Sequence, residues 1–170
     1  LATTLRAKGL FNNHPNDIGI FGTLSTPDAY EVISMSDLVV SFGASLNQFT
    51  TDQGKLLSQK RVIQVNIDKS DITLNYQPDA GLNADAEMTA KNMIYWIGEV
   101  GVKPSGFSKE INPNTIKVHP TPKTIKTSEK YIDYLYALKR LDDCLPKNRI
   151  LTTDAGRFMT EVWCNISVPD

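Results

Sequence analysis

Asp37-Leu38-Val39-Val40-Ser41-Phe42-Gly43-Ala44-Ser45 is the stretch that decides the fold. Leu38 to Phe42 is a short, β-prone, nearly unbroken apolar run, the pattern of a strand buried on both faces of a parallel sheet. Gly43 closes it, where the chain can turn tightly or let a ligand come close. A second strand pattern, Arg61-Val62-Ile63-Gln64-Val65-Asn66-Ile67-Asp68, follows after a gap long enough for one helix. Two such runs and a crossover predict a βαβ unit with a right-handed connection. Gly43 and Asp68 then both end parallel strands, on the edge where open α/β sheets bind ligands.

Outward from this unit, Thr26, Pro27 and Asp28 make a helix start: a capping hydroxyl, a proline for the first turn and an acid for the positive end of the dipole. Ala29, Val32 and Ile33 share one face, so the helix should run to about Met35. Before it, Ala2 to Leu5 is β-prone with no turn ahead of it. The chain therefore reads as an excised piece that opens inside an element. Lys8 to Asp17 is loop by its glycine, asparagine and proline content, and Ile18 to Gly22 is loop or a poor strand. Between the two central strands, Thr51 to Ser58 should hold a short helix with Leu56 and Leu57 inward. After Asp68, Ser70 to Thr73 forms one capped turn and Ala80 to Ala84 a short strand. Asp85 caps a helix through Glu99, with Ala86, Ala90, Met93, Ile94 and Ile97 as its buried stripe.

Residues 103–127, with Pro104, Pro113, Pro120 and Pro122, read as a linker between a domain over 1–102 and a second one over 128–170. In the second, Ser128 should cap a helix carrying Ile132, Leu135, Leu138 and Leu141, stopped by Pro146. Arg149 to Asp154 should be a strand, Ala155-Gly156-Arg157 its turn, and Phe158 to Trp163 the start of another helix.

Composition limits the partners. The 170 residues are 41% hydrophobic and 22% charged, with a formal net charge of −1. No basic field argues for nucleic acid or an anionic membrane. No apolar run approaches the roughly 20 residues that span a bilayer. The opening residues lack the charged and apolar regions of a secretion signal. Cys144 and Cys164 have no CxxC spacing and read as free thiols of a cytoplasmic protein.

The candidate chemistry sits at the strand ends. A glycine after the first strand and an acid after the second form part of a nucleotide site, although GxGxxG is absent. The plainer reading is a turn glycine and a solvated carboxylate. Gly19, Gly22 and Thr23-Leu24-Ser25 precede a helix start, where backbone N–H groups can hold an anion or merely connect elements. His14 and His119 have no ligand-type residue at metal spacing. Ser45, Asp154 and a histidine lack the GxSxG elbow of a hydrolase.

Three segments in order resemble thiamine diphosphate-dependent decarboxylases and carboligases of the acetolactate synthase-like group. They are Thr3-Thr4-Leu5 through Lys8-Gly9-Leu10-Phe11 with His14-Pro15, Gly19 and Gly22; Ser36 through Asn47; and Val62 through Asp68 with Asp71-Ile72 and Asn83-Ala84-Asp85-Ala86. They cover the family's central domain over residues 1 to about 100. Ile150 through Phe158 resembles the opening strand and turn of the family's carboxyl-terminal cofactor domain.

The resemblance implies a Rossmann-like parallel sheet with helices on both faces, truncated at its amino-terminal edge. It implies a cytoplasmic parent enzyme, a homodimer or homotetramer, that acts on a 2-oxo acid or acyl donor with thiamine diphosphate and magnesium. The activating glutamate belongs to a domain this chain lacks, and the GDG motif for metal and diphosphate is expected after residue 170. The 170 residues alone are therefore expected to be inactive. Carried over by position, Gly156, Arg157 and Phe158 lie near the cofactor's diphosphate. In some relatives the central domain holds FAD, in others ADP, in many neither. Such a nucleotide would touch Gly22, Thr23, Leu24, Gly43, Ala44, Ser45, Asp68, Ile72, Asp85 and Ala86. Flavin-holding acetolactate synthases carry GxRFDDR where this chain has Gly43-Ala44-Ser45-Leu46-Asn47-Gln48-Phe49-Thr50, without the arginine. The crevice is expected to form and to stay empty. The reading from another class is a non-catalytic nucleotide-binding or regulatory module on the same edge.

Overall fold

The computed structural model describes residues 1–111, 130–154 and 156–168. The chain divides into two compact units, Tyr30–Asn112 and Leu1–Ala29 with Pro113–Asp170.

The unit Tyr30–Asn112 is an α/β structure on a three-stranded sheet in the order β1 (Leu38–Phe42), β2 (Arg61–Asn66), β3 (Ala80–Asn83). Both pairings are parallel, with Leu38 beside Arg61 and Phe42 beside Val65, then Ile63 beside Ala80 and Asn66 beside Asn83. This is the parallel arrangement that the two apolar runs predict. Helix α1 (Pro27–Met35) leads into β1, and Thr26 Oγ1 accepts from the Ala29 amide at 3.2 Å. Ala29 and Ile33 are buried.

The crossover from β1 to β2 holds a 3-10 turn, Lys55–Leu57, where a short helix was expected. Asp52, Gln53 and Gly54 have φ of 49°, 56° and 85°. Three left-handed residues in a row cannot continue a right-handed helix. Leu56 and Leu57 are nevertheless buried, as their spacing requires.

Beyond β2, a 3-10 turn over Lys69–Asp71 leads to β3. Gly81 sits where a Cβ would lie 2.5 Å from Ile72 Cγ2. Helix α2 (Ala86–Glu99) follows, capped by Asp85, whose carboxylate accepts from the Met88 amide at 2.9 Å. Its expected stripe is only half realised. Thr89 is buried and Ala90 and Met93 half-buried, but Ala86 is exposed, Ile94 is 73% exposed and Ile97 48%. The helix meets the sheet at β2, and only lightly, so most of the face that the stripe marks stays in solvent. Helix α3 (Phe107–Glu110) lies at the start of the expected linker, whose residues from 112 onward are outside the described ones.

In the other unit Thr3 and Ile20 form an isolated parallel bridge, with Thr3 N donating to Gly19 O at 2.9 Å and Phe21 N to Thr3 O at 2.8 Å. A 3-10 turn, Leu5–Ala7, follows Thr3. Helix α4 is Tyr134–Cys144 and helix α5 is Met159–Asn165. The cap of α4 is Asp133, which accepts from the Tyr136 amide at 3.0 Å. Ser128, the expected cap, is outside the described residues, and Ile132 precedes the helix and is exposed. Leu138 is the member of the predicted stripe that is buried.

Arg149 to Asp154 is not a strand. A strand needs a neighbour for its N–H and C=O groups. No described strand pairs with this segment, and Ile150 is 94% exposed. Arg149 instead bonds Asp142 Oδ1 at 2.6 Å and Ser167 O at 2.8 Å through Nη2. Among the described residues no helix is long and apolar enough to cross a membrane.

Candidate functional site at the carboxyl edge of the sheet

The carboxyl ends of β1, β2 and β3 gather most of the residues singled out from sequence. Gly43 follows β1 with φ of 65°, its amide donates to Val65 O at 2.9 Å, and a Cβ there would meet nothing within 4 Å. The backbone beside it is therefore open to an approaching ligand. Ala44 and Ser45 continue the turn. Their carbonyls are held from below, Ala44 O by Gln64 Nε2 at 3.2 Å and Ser45 O by Asn75 Nδ2 at 3.0 Å.

Asp68, just past β2, is exposed and has a second duty that sequence reading missed. Its Oδ1 accepts from the Ser70 amide at 2.8 Å and the Ser70 hydroxyl at 2.6 Å, so it caps the Lys69–Asp71 turn. Those two bonds favour the carboxylate and lower its pKa from the ordinary 3.8. Ile72 ends that turn and packs against Gly81. Ala84 N donates to Asn66 O at 3.0 Å, and Asn83 Nδ2 to Ile67 O at 2.8 Å, which draws the start of α2 beside the end of β2. Asp85 spends its carboxylate on the helix cap, and Ala86 is the exposed first residue of α2.

Four amide side chains, Gln64, Asn66, Asn75 and Asn83, hold this edge. Gln64 is 1% exposed. It donates to Ala44 O and to Asp71 O at 3.3 Å, and its Oε1 accepts from the Thr73 amide at 3.4 Å. Asn66 Nδ2 donates to Asp71 Oδ2 at 3.3 Å. The signal for the two on β2 was present in Val62-Ile63-Gln64-Val65-Asn66. Polar residues two apart on a buried strand share a face and must find partners there.

Gly22, Thr23, Leu24, Gly156, Arg157 and Phe158 belong to the other unit. The Gly22 amide donates to Ser25 Oγ at 3.0 Å and the Gly19 amide to Asp17 Oδ1 at 2.8 Å, so two of the amides offered to an anion are bonded within the chain. Leu24 O accepts from Cys164 Sγ at 3.9 Å. A Cβ on Gly156 would stand 2.9 Å from the Phe158 ring, so these two residues are in close contact. Helix α5 begins directly after Phe158.

The same unit has a small cleft lined in part by Lys8, Asn12, Asp17, Cys164 and Ser167. Lys8 Nζ donates to Trp163 O, and to Ile166 O at 2.7 Å, at the end of α5. Burial lowers the Lys8 pKa against the opposing pull of Cys164 and Asp142, and raises that of the Cys164 thiol. Both cysteines are free thiols. Among the described residues no three His, Cys, Asp or Glu side chains gather as metal ligands.

Residues 1–93 match the family described as thiamine pyrophosphate enzyme, central domain. The chain is 29% identical over 180 residues to a probable acetolactate synthase large subunit of Methanococcus aeolicus, with 96% of this chain and 29% of that protein covered. It is 25% identical over 168 residues to the chloroplastic acetolactate synthase 1 of Zea mays, covering 96% of this chain and 26% of that protein. It is 32% identical over 98 residues to an acetolactate synthase large subunit of Cyanidium caldarium, covering 55% and 16%. The chain thus spans less than a third of the length of these relatives.

Proposed function

The chain belongs to the thiamine pyrophosphate enzymes, through their central domain, and on that footing we propose that it serves a thiamine diphosphate-dependent decarboxylase or carboligase of the acetolactate synthase kind. The observation that carries this is the ordered match over residues 1–93, which includes the parallel sheet and the edge built by Gly43, Asp68 and Asp85. The substrate of the whole enzyme is a 2-oxo acid or related acyl donor, and its assembly a homodimer or homotetramer. Free thiols at Cys144 and Cys164 agree with a reducing compartment such as the cytoplasm.

The family's cofactor supplies carbanion chemistry when bound, while the protein binds and orients it. By the family resemblance, magnesium accompanies the cofactor's diphosphate. Gly156, Arg157 and Phe158 contribute at most one wall beside that diphosphate. The part of this chain is the central domain, with its boundary near residue 102, and the remainder from about 128 begins the cofactor domain.

At the sheet edge a nucleotide lies across the ends of β1 and β2. The open backbone at Gly43-Ala44 flanks it, and Asp68 Oδ2 faces a ribose hydroxyl, since Oδ1 is taken by Ser70. Ile72 and Ala86 complete the contact set on this edge by family position. No arginine lies between Gly43 and Lys60 to meet a phosphate, so binding is weak and the crevice stays empty without added nucleotide.

Calorimetry of the 170-residue chain with thiamine diphosphate and magnesium is expected to show no tight binding, and pyruvate to remain unconsumed. Saturable micromolar binding, or decarboxylation by this chain, would refute the division of labour. Titration with ADP and FAD against the Asp68→Ala variant tests the edge. Tight flavin binding that survives this substitution puts the nucleotide elsewhere.

A further inference from the structure

We propose that Gln64 is the positioning residue of the crevice: it turns the Ser45 N–H outward as a hydrogen-bond donor and couples the loops after β1 and β2. The proposal rests on the reading of the sheet edge as a ligand crevice. Gln64 is buried in the middle of β2, directly beside Ser41 of β1. Its amide works in both directions. The NH2 group donates to Ala44 O at 3.2 Å, in the first loop, and to Asp71 O at 3.3 Å, in the second. The carbonyl accepts from the Thr73 amide at 3.4 Å. Two donors and an acceptor are what a glutamine has, and no other side chain of this size supplies both.

The consequence follows from the geometry of the peptide bond. In a trans peptide the C=O and the next N–H point in opposite directions, and the described residues include no cis bond. Holding Ala44 O inward therefore points the Ser45 N–H away from Gln64. That N–H has no acceptor among the described residues. The rest of Ser45 is pinned: its hydroxyl accepts from Asn47 Nδ2 at 2.8 Å and its carbonyl from Asn75 Nδ2 at 3.0 Å. A fixed, unshared backbone donor beside the open Gly43 suits an acceptor oxygen of a ligand, an anionic phosphate oxygen above all.

Amide NMR of the full chain tests this. In Gln64→Met, which keeps the volume and removes the polar groups, the Ser45 and Thr73 amide signals should both move, with Arg61 and Val62 of β2 unchanged. Thr73 exchange with solvent should rise about 5- to 10-fold, the worth of one hydrogen bond. A variant in which the β2 amides move and the two loop amides do not would make Gln64 a packing residue only and overturn the proposal. Gln64→Glu gives a second reading: the ionised form has no donor for the two carbonyls, so the Ser45 signal should return toward its original position as the pH falls and the carboxyl protonates. A Ser45 signal that ignores pH in this variant also counts against it.

Millimolar ADP should shift the Ser45 amide in the unsubstituted chain and shift it several-fold less in Gln64→Met. An equal response to inorganic phosphate identifies the phosphate as the group recognised. Equal ADP shifts with and without Gln64 overturn the positioning role. Ser45 unmoved by ADP, with the loop amides still coupled through Gln64, overturns the donor role and the crevice reading together and leaves the coupling supported.

Discussion

Gly81 shows how a single missing side chain lets two segments touch. It lies on β3 with Ile72 against it, and a Cβ would overlap Ile72 Cγ2 at 2.5 Å. Ile72 is β-branched and stiff at χ1, so it cannot swing its methyl away without leaving a preferred rotamer. Gly81→Ala should destabilise the protein by about 1–3 kcal/mol, the usual cost of an added carbon in a packed contact. In an Ile72→Ala background the same change should cost much less, and a denaturation cycle on the four proteins reads the difference. Gly43 is the opposite case. Its φ of 65° asks for glycine, yet the space around it is open. Backbone conformation and ligand access argue for glycine there, and packing does not.

Helix α2 is held at its start and along its first half. Asp85 caps it, Thr89 Oγ1 donates back to Asp85 O at 2.6 Å, and Lys91 pairs with Glu87 at 2.6 Å on the surface. Removing the cap by Asp85→Ala should lower stability by about 0.5–2 kcal/mol. Ile94→Glu should change it by no more than about 0.5 kcal/mol, because Ile94 already faces solvent. Thermal melts of the two variants decide between the present packing and the stripe predicted from sequence. A large loss from Ile94→Glu would mean that this face is buried in solution. Periodicity marks which residues share a helix face; it does not tell how far along that face the partner extends.

At the scale of the molecule, one unit is made by the two distant parts of the chain. Lys8 bonds the carbonyls of Trp163 and Ile166, and Asn12 Nδ2 donates to Val168 O at 2.8 Å. Burial lowers the Lys8 pKa from 10.5. A lysine depressed in the fold carries a stability penalty that is full below its folded pKa. The penalty fades as pH rises through that value toward 10.5, because the unfolded chain holds the extra proton over this window. The stability of the protein relative to Lys8→Met should therefore increase with alkaline pH in that window. Urea titrations at stepped pH check this, run in a Cys164→Ala background because the neighbouring thiol titrates there too. A pH-independent difference would show that the ammonium is solvated and the tie is not at Lys8.

The parallel pairing was legible from the residues alone, because two short runs rich in Leu, Val, Ile and Phe, Leu38–Phe42 and Val62–Ile67, stand one crossover apart; burial on both faces was not, since Leu38 and Phe42 are 45% and 40% exposed. The caps at Thr26 and Asp85 and the glycine after β1 were legible too, since each rests on chemistry within four residues. Tertiary structure decided the rest. Asp68 reads from sequence as a ribose ligand or a solvated carboxylate, and only the folded chain adds the cap on Ser70. The Arg149–Asp154 run has the composition of a strand, but a strand exists only through a partner, and no described strand supplies one. Gln64 is a polar residue within the second strand pattern. Its three partners, Ala44, Asp71 and Thr73, lie on two separate loops, and only the folded chain brings them to one side chain. Local sequence determines backbone preference and burial pattern; hydrogen bonds between distant loops depend on topology, which no short window contains.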